Sequence, residues 1–459
     1  MISIRLALAI GSACTLGART LTVGPGGEFA NLQDAVYQAA AGDSIEVRAG
    51  TYSGNIVLDK SLTLIGTGRP LLRGTGSGSV LTVIAPGCTI RGFRIEHSGG
   101  MLVDEDSGVL LKSDRNHVEE NELRDILFGI YLFHSSGNTI ARNQVWGRKE
   151  LGSGERGAGI HIWYSSGNTI DHNTIADMRD GMYLQNADRS VIRGNHVSEL
   201  RYGLHYMYSN DNTFEDNVFE NNVAGAAIMY SHHIQFRRNA FVHNRGFSSF
   251  GILFQDSQNC VAEQNVIVDN AVGIFMEALR ASRFERNLVG ANDTAIEAFA
   301  SSEQNEFTRN NFVSNLSPIR VIGRSSNTRW DRDGVGNYWS EYKGYDLDGT
   351  GVGDVPFRIE NLFEHLEGRL PRLRIYFNSP ASQALASAAE EFPILGAPAE
   401  FDRHPLMKPV EIGIRAPQSS HSRQKNLSLA AAPLSMIGIA GFAMWRGRRT
   451  FAAAGKTTQ

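Results

Sequence analysis

The sequence predicts an all-β protein, a right-handed parallel β-helix built as a solenoid of coils about 22 residues each. Three observations predict it. The segment GIYLFHSSGNTIARNQV at Gly129 recurs at Gly159, Gly181, Gly203 and Gly225, again at Gly251 and Gly273, and in worn form at Gly108 and Ala295. The start-to-start spacings are 21, 30, 22, 22, 22, 26, 22 and 22, so the base period is 22, one supersecondary unit per repeat. Each copy consists of short alternating runs separated by Ser, Gly, Asn and Asp, which reads as strands and turns. A helical solenoid needs longer elements at a 3.6 period, and a propeller blade needs about 40 residues. Lastly, an Asn stands fourteen positions after each repeat Gly, at Asn143, Asn173, Asn195, Asn217, Asn239, Asn265 and Asn287, with Asn121 and Asn310 close to register. Asn tolerates left-handed backbone and hydrogen-bonds along a stack of identical neighbours. These residues are therefore expected to turn the chain and tie coils together.

Along the chain, residues 1–18 carry Arg5, an apolar run and small residues up to Ala18, the layout of a signal peptide. A buried first strand is the competing reading. Cys14 follows Gly11-Ser12-Ala13, a poor lipoprotein signal. Residues 31–40 (NLQDAVYQAA) show helical spacing and are expected to cap the solenoid. The β-helix is expected over residues 19–330, a C-terminal cap segment over 331–410, and a Pro-, Ser- and Lys/Arg-rich linker over 411–426. Residues 427–445 then hold no charge over 19 positions and are followed by Arg446, Arg448 and Arg449 in a basic tail, 446–459. Length and flanking charge fit a transmembrane anchor with its C-terminus in the cytoplasm. A sorting tail has the same look. Cys88 and Cys260 lie about seven coils apart, roughly 34 Å at the strand spacing, too far for a disulfide, so both are expected as buried thiols.

Composition narrows the function without naming it. Apolar residues make up 42% and charged residues 20% of the 459 positions, so a folded core is expected. A net charge of −4 offers no basic footprint for nucleic acid.

Chemistry is expected on one outer face. The second and fourth residues after each repeat Gly should point outward, and they are Tyr131/Phe133, His161/Trp163, Tyr183/Gln185, His205/Met207, Ala227/Met229, Leu253/Gln255 and Phe275/Glu277. An aromatic and thioether stripe of this kind marks a binding surface, with Tyr131, Phe133, Trp163 and Tyr183 as partner contacts. A covering loop of the chain itself is the alternative. His205 and Met207 share one strand face, and Met229 should stack on Met207 one coil on. His232 and His233 lie in the next turn, and His161 lies further along the stripe. Imidazole and thioether suit copper, Met favouring the reduced ion, whereas an adaptable interface uses the same residues without metal. Two coils exceed the period, by about eight residues near 146–157 (WGRKELGSGERG) and about four near 245–250. Insertions in solenoids are loops on a binding face, so the first is expected to meet a partner or close over the stripe. Asp346, Asp348 and Asp354 lie among glycines in an oxygen-rich loop of calcium-binding type, although Asp and Gly also form ordinary turns.

The opening VGPGGEFANLQDAVYQAAAGDSIEVRAGTY, the repeat MYLQNADRSVIRGNHVSELRYGLHYMYSNDNTFEDN and the segment GNYWSEYKGYDLDGTGVGD together make the chain resemble the NosD family over roughly residues 20–410. The resemblance implies a non-enzymatic periplasmic assembly factor for nitrous oxide reductase. It implies action with the ATPase and membrane subunits of an ABC-type transporter, and with a copper chaperone lipoprotein, in maturation of the reductase's copper centres. It also implies copper binding, with no ligand set to carry over residue by residue. The apolar tail departs from a soluble family member and implies tethering at the inner membrane or another sorting route. The rival reading is an extracytoplasmic polysaccharide-binding protein, lyase or epimerase, because β-helices often act on uronate polymers. Such enzymes cluster acid/base groups with Arg or Lys on one face, and the stripe as read from sequence offers few carboxylates. The pectinase strings NTD, GHG and RIK and the epimerase string DPH are absent. A short adhesin is a third reading.

Overall fold

In the computed structural model the chain winds as a parallel β-helix with three sheets running along its axis. The structure describes residues 17–246, 248–323, 327–359 and 400–413, with short pieces between 366 and 385. The leader up to residue 16, the apolar segment 427–445 and the basic tail lie outside the described residues, as does most of the linker. Among the described residues no helix is long and apolar enough to cross a membrane.

One coil shows the plan. Thr169–Asp171 belongs to the first sheet, Thr174–Ala176 to the third and Asp180–Gln185 to the second, each pairing in parallel with its counterpart one coil away. The first sheet has 13 strands, from Thr20–Val23 to Glu306–Thr308. The second has 12, from Ile56–Leu58 to Ser317–Ile322, and the third has 13, ending on Tyr338–Trp339. The solenoid thus runs beyond the nine repeat copies legible in the sequence.

The three-residue strands turn their middle side chain inward, which is why one apolar residue flanked by polar ones suffices. Ile170, Ile192, Phe214 and Phe236 stack in register inside the first sheet. Phe214 lies on Phe236 at 4.9 Å, Phe219 on Phe241 at 5.2 Å and Phe284 on Phe307 at 4.3 Å between ring centroids. The N-terminal end is closed by the helix Leu32–Gln38, whose Asn31 cap accepts from the Gln33 N–H while Leu32, Ala35 and Val36 are buried against the first coils. That is the cap expected from the sequence.

Polar ladders run beside the aliphatic ones. Asn143 Oδ1 accepts from both the backbone N–H and the Nδ2 of Asn121, and its own Nδ2 donates to the Val118 carbonyl. The same pattern repeats through Asn173, Asn195, Asn217, Asn239, Asn265, Asn287 and Asn310. The left-handed backbone belongs to the residue before each ladder Asn: Arg142, His172, Asp216, Arg238 and Arg286 all have φ between 52° and 55°. The Asn is spared that conformation because its role is to bond with neighbours on either side, which needs an extended stack. A second Asn ladder runs through Asn222, Asn244, Asn270, Asn292 and Asn315. The first ladder passes to Asn337 and ends on Asp402, whose carboxylate accepts from the Asn337 N–H at 2.7 Å and the Trp339 indole at 2.9 Å. Burial pushes the Asp402 carboxyl above the usual range. Cys88 and Cys260 are both free and buried, as expected.

Candidate functional site

The stripe follows from the repeat glycine. A Cβ on Gly203 would stand 2.6 Å from the Gly225 carbonyl oxygen, and one on Gly225 2.4 Å from that of Gly251, far inside contact distance. Only Gly lets the coils approach there. The register holds across this point, Asp180 pairing with Tyr202 and Met182 with Leu204, but the alternation of side chains breaks at the Gly: the ring before it reaches the ring two after it in the same file, Phe128 to His161 at 5.7 Å and Tyr202 to His205 at 5.1 Å. Side chains one before, two after and four after each Gly therefore share the outer face, one more row than simple alternation supplies.

That face has a covered half and an open half. Tyr131 and His161 are 3% and 5% exposed, so these two are not free surface contacts. Phe128 stacks near both rings, and Glu105 bonds to Tyr131 and stands 4.0 Å from His161; beside them, Leu151 of the 146–157 insertion packs with Tyr183 against a small second core of Leu127, Phe128 and Ala158. The insertion is fastened at both ends. Arg148 donates to the Ser98 carbonyl at 2.6 Å and to Asp125 at 2.8 Å, and Arg156 donates to the Asp177 carbonyl at 3.3 Å and, within the insertion, to those of Lys149 and Leu151. The insertion's Leu151 thus rests on the small core at the edge of the stripe. Phe133, Trp163, Tyr183, His205, Met207 and Met229 are half-buried on the same face.

A file of rings runs along this row. Centroids are 4.4 Å apart for Tyr131–His161, 4.8 Å for His161–Tyr183, 4.7 Å for Tyr183–His205 and 5.1 Å for Tyr202–His205. Neither nitrogen of His161 has a hydrogen-bond partner among the described residues. Its desolvation, with the Arg179 charge nearby, pushes the imidazole down to about 3, so it is neutral at ordinary pH. Desolvation and a hydrogen bond with Glu105 push the Tyr131 phenol far up.

Asp180 interrupts an otherwise uncharged row. Its side chain is fully buried, and Arg201 grips it with Nε at 2.9 Å and Nη2 at 2.7 Å. Arg179 approaches at 3.4 Å and His205 Nδ1 at 3.3 Å. Burial raises the carboxyl, but His205 and Arg201 outweigh it and hold it below the usual range. The equivalent position is Ala158, Tyr202, Ala224, Phe250 or Val272 in the other coils. An acid there was the readable signal, hidden because alternation places that residue inside.

Among the metal candidates, Met207 and Met229 are direct partners on adjacent strands, and His205 is two residues before Met207 on the same face. His205 turns toward Asp180 and the rings of Tyr183 and Tyr202. His232 and His233 lie in the following turn, 3.1 Å apart through their Nδ1 atoms, with His233 also 3.3 Å from Asp211. His161 lies two coils from Met207 and belongs to the covered half. Among the described residues no group of three or more His, Cys, Asp and Glu is placed to hold a metal ion, so a site here has to draw on thioether sulfur. In the acidic loop, Asp346 accepts from the N–H groups of Gly349, Thr350 and Gly351, Asp348 from Thr350, and Asp354 from Leu347. These carboxylates close a turn.

Comparison with known proteins gives three findings. The family model described as "Periplasmic copper-binding protein (NosD)" matches residues 144–344, the stretch holding both the Asp180 cluster and the methionine pair. A "Probable ABC transporter binding protein NosD" of Pseudomonas aeruginosa is 32% identical over 376 residues, covering 78% of this chain and 87% of that protein. One of the same description from Stutzerimonas stutzeri is 29% identical over 377 residues, covering 78% and 86%. Among solved structures, the Dettilon tailspike protein superposes with a TM-score of 0.51 at 14% identity, covering 64% of each chain, a likeness of fold.

Proposed function

Because the chain belongs to the NosD family of periplasmic copper-binding proteins, we propose that it is a non-enzymatic periplasmic assembly factor that serves an ABC-type transporter in maturing the copper centres of nitrous oxide reductase, with copper as its cargo. The transporter association is supported by the description that both relatives carry. The single structural observation behind the copper reading is the in-register pair Met207–Met229 with His205 on the same face. Two thioethers and an imidazole are soft and borderline ligands suited to Cu(I), and three donors at the edge of an open face would take and release an ion rather than store it. Phe133, Trp163 and Tyr183 flank this point and would seat the protein that receives or supplies the ion, whether the copper chaperone lipoprotein or the reductase. Segment 427–445 would hold the chain beside the transporter's membrane subunit.

Anaerobic Cu(I) titration of the chain lacking 427–459, compared with its Met207→Ala/Met229→Ala variant, tests the site. The expected result is one equivalent bound by the parent and affinity reduced at least tenfold in the variant. Equal affinity in both removes the site. Copper binding by neither removes the cargo reading and leaves that of a docking scaffold.

A further inference from the structure

We propose that Arg179 and Arg201 form a binding fork for the carboxylate of a small acidic ligand, at the place where the covered half of the stripe opens to solvent. The inference is independent of the copper reading. Arg179 and Arg201 stand on successive coils, the Arg201 N–H donating to the Arg179 carbonyl at 2.9 Å, so their side chains start one strand spacing apart, about 4.8 Å. Both face one carboxylate, that of fully buried Asp180. Arg201 spends Nε and Nη2 on it, while Arg179 offers only its Nε at 3.4 Å. Both terminal nitrogens of Arg179, and Nη1 of Arg201, are without a hydrogen bond among the described residues, although the two side chains are only 28% and 39% exposed. The other acid of the region, Glu105, is engaged with Tyr131 and lies 4.0 Å from His161. It makes no ion pair with either guanidinium among the described residues.

Two part-buried cations around one anion leave one charge uncompensated, and partial burial makes that costly. The fold gives no reason for it. Arg148 and Arg156 already fasten the insertion, and the residues equivalent to Arg179 in neighbouring coils are Gly157, Val223, Ser249 and Ala271. The fork is also pre-set: Arg201 is held by two bonds to Asp180 and lies 4.6 Å over the Tyr202 ring. Planar guanidinium edges match the two oxygens of a carboxylate. Beside them, the Tyr183 hydroxyl and Gln185 amide are bonded to one another and face the same side, offering polar contacts to hydroxyls on the ligand. A uronic acid or an aliphatic dicarboxylate supplies such a carboxylate.

The test titrates the protein at low ionic strength with galacturonate and with malonate, using galactose and sodium chloride as controls, by calorimetry. Saturable one-to-one binding of either acid is expected, with no binding of galactose. Tighter galacturonate marks a sugar acid as the source, and tighter malonate a free dicarboxylate. Arg179→Gln should weaken binding at least tenfold. Arg201→Lys, which keeps a cation on Asp180 but loses the planar edge, should do the same, so the claim stands even if one variant folds poorly. Unchanged Cu(I) binding in Arg179→Gln separates this site from the thioether site. Failure of both acids to bind the parent, unchanged affinity in folded Arg179→Gln, or equal displacement by equimolar chloride would overturn the proposal.

Discussion

Replacing His161 by Phe should remove an acid sensitivity that the fold carries. The imidazole is enclosed by Phe128, Tyr131 and Tyr183 and has no hydrogen-bond partner among the described residues. In the folded chain it protonates only near about 3, against 6.5 for the free side chain. The unfolded chain therefore binds a proton across that window and the native chain does not, so stability is complete above pH 6.5 and falls as the pH drops toward 3. At pH 5 the gap from 6.5 is about 1.5 units, and at roughly 1.4 kcal/mol per unit the native state loses about 2 kcal/mol. By pH 4 the loss is about 3.4 kcal/mol on the same scale. Phe fits among aromatic neighbours and has no nitrogen to leave unpaired, so the variant should match the parent at pH 7.5 within about 1 kcal/mol. Urea unfolding of both proteins at pH 7.5 and 5.0 reads the difference, and every other titrating group cancels between them. Parallel losses in the two proteins would refute the reasoning, since they would mean that His161 accepts its proton in the folded state.

The remaining predictions concern the scaffold. Asn217→Ala removes the acceptor for the N–H and Nδ2 of Asn195 and the donor to the Ile192 carbonyl; with buried groups left unpaired at about 1–3 kcal/mol each, unfolding experiments should show a loss of roughly 3 kcal/mol or more. Cys260 is 2% exposed and burial lifts its thiol to about 11, and Cys88 is likewise buried with its thiol raised. Neither should react with a thiol reagent at pH 8 in the native protein within the time that both react in denaturant, and rapid native labelling of either would contradict their placement.

Much of the fold was legible because a solenoid repeats its reasons. The 22-residue spacing, the Asn at fixed offset and the helical cap at 31–40 each recur in the structure, since every coil solves the same burial problem against a near-identical neighbour. The in-register pairing of Met207 with Met229 was legible for the same cause: a period equal to one coil places residues 22 apart side by side. The burial of Tyr131 and His161 was not. It depends on segments outside the repeat: Glu105 reaches Tyr131 and stands 4.0 Å from His161, and Arg148 holds the neighbouring insertion to the Ser98 and Gly99 carbonyls some fifty residues away. Asp180 escaped notice because strict alternation turns it inward, whereas the break in alternation at the repeat Gly brings it to Arg201 and His205.

The sequence by itself determined the β-helix, the inner and outer residues of its regular strands, the solitary thiols and the membership that its motifs imply. Periodic burial is a local property, repeated until it is unmistakable. Only the tertiary structure decided that the stripe is half covered, that a buried carboxylate binds two guanidiniums at its midpoint, and that the first Asn ladder ends on Asp402 some sixty residues after Trp339. These are contacts between parts of the chain that share no period, and their outcome depends on distances and angles that no spacing encodes.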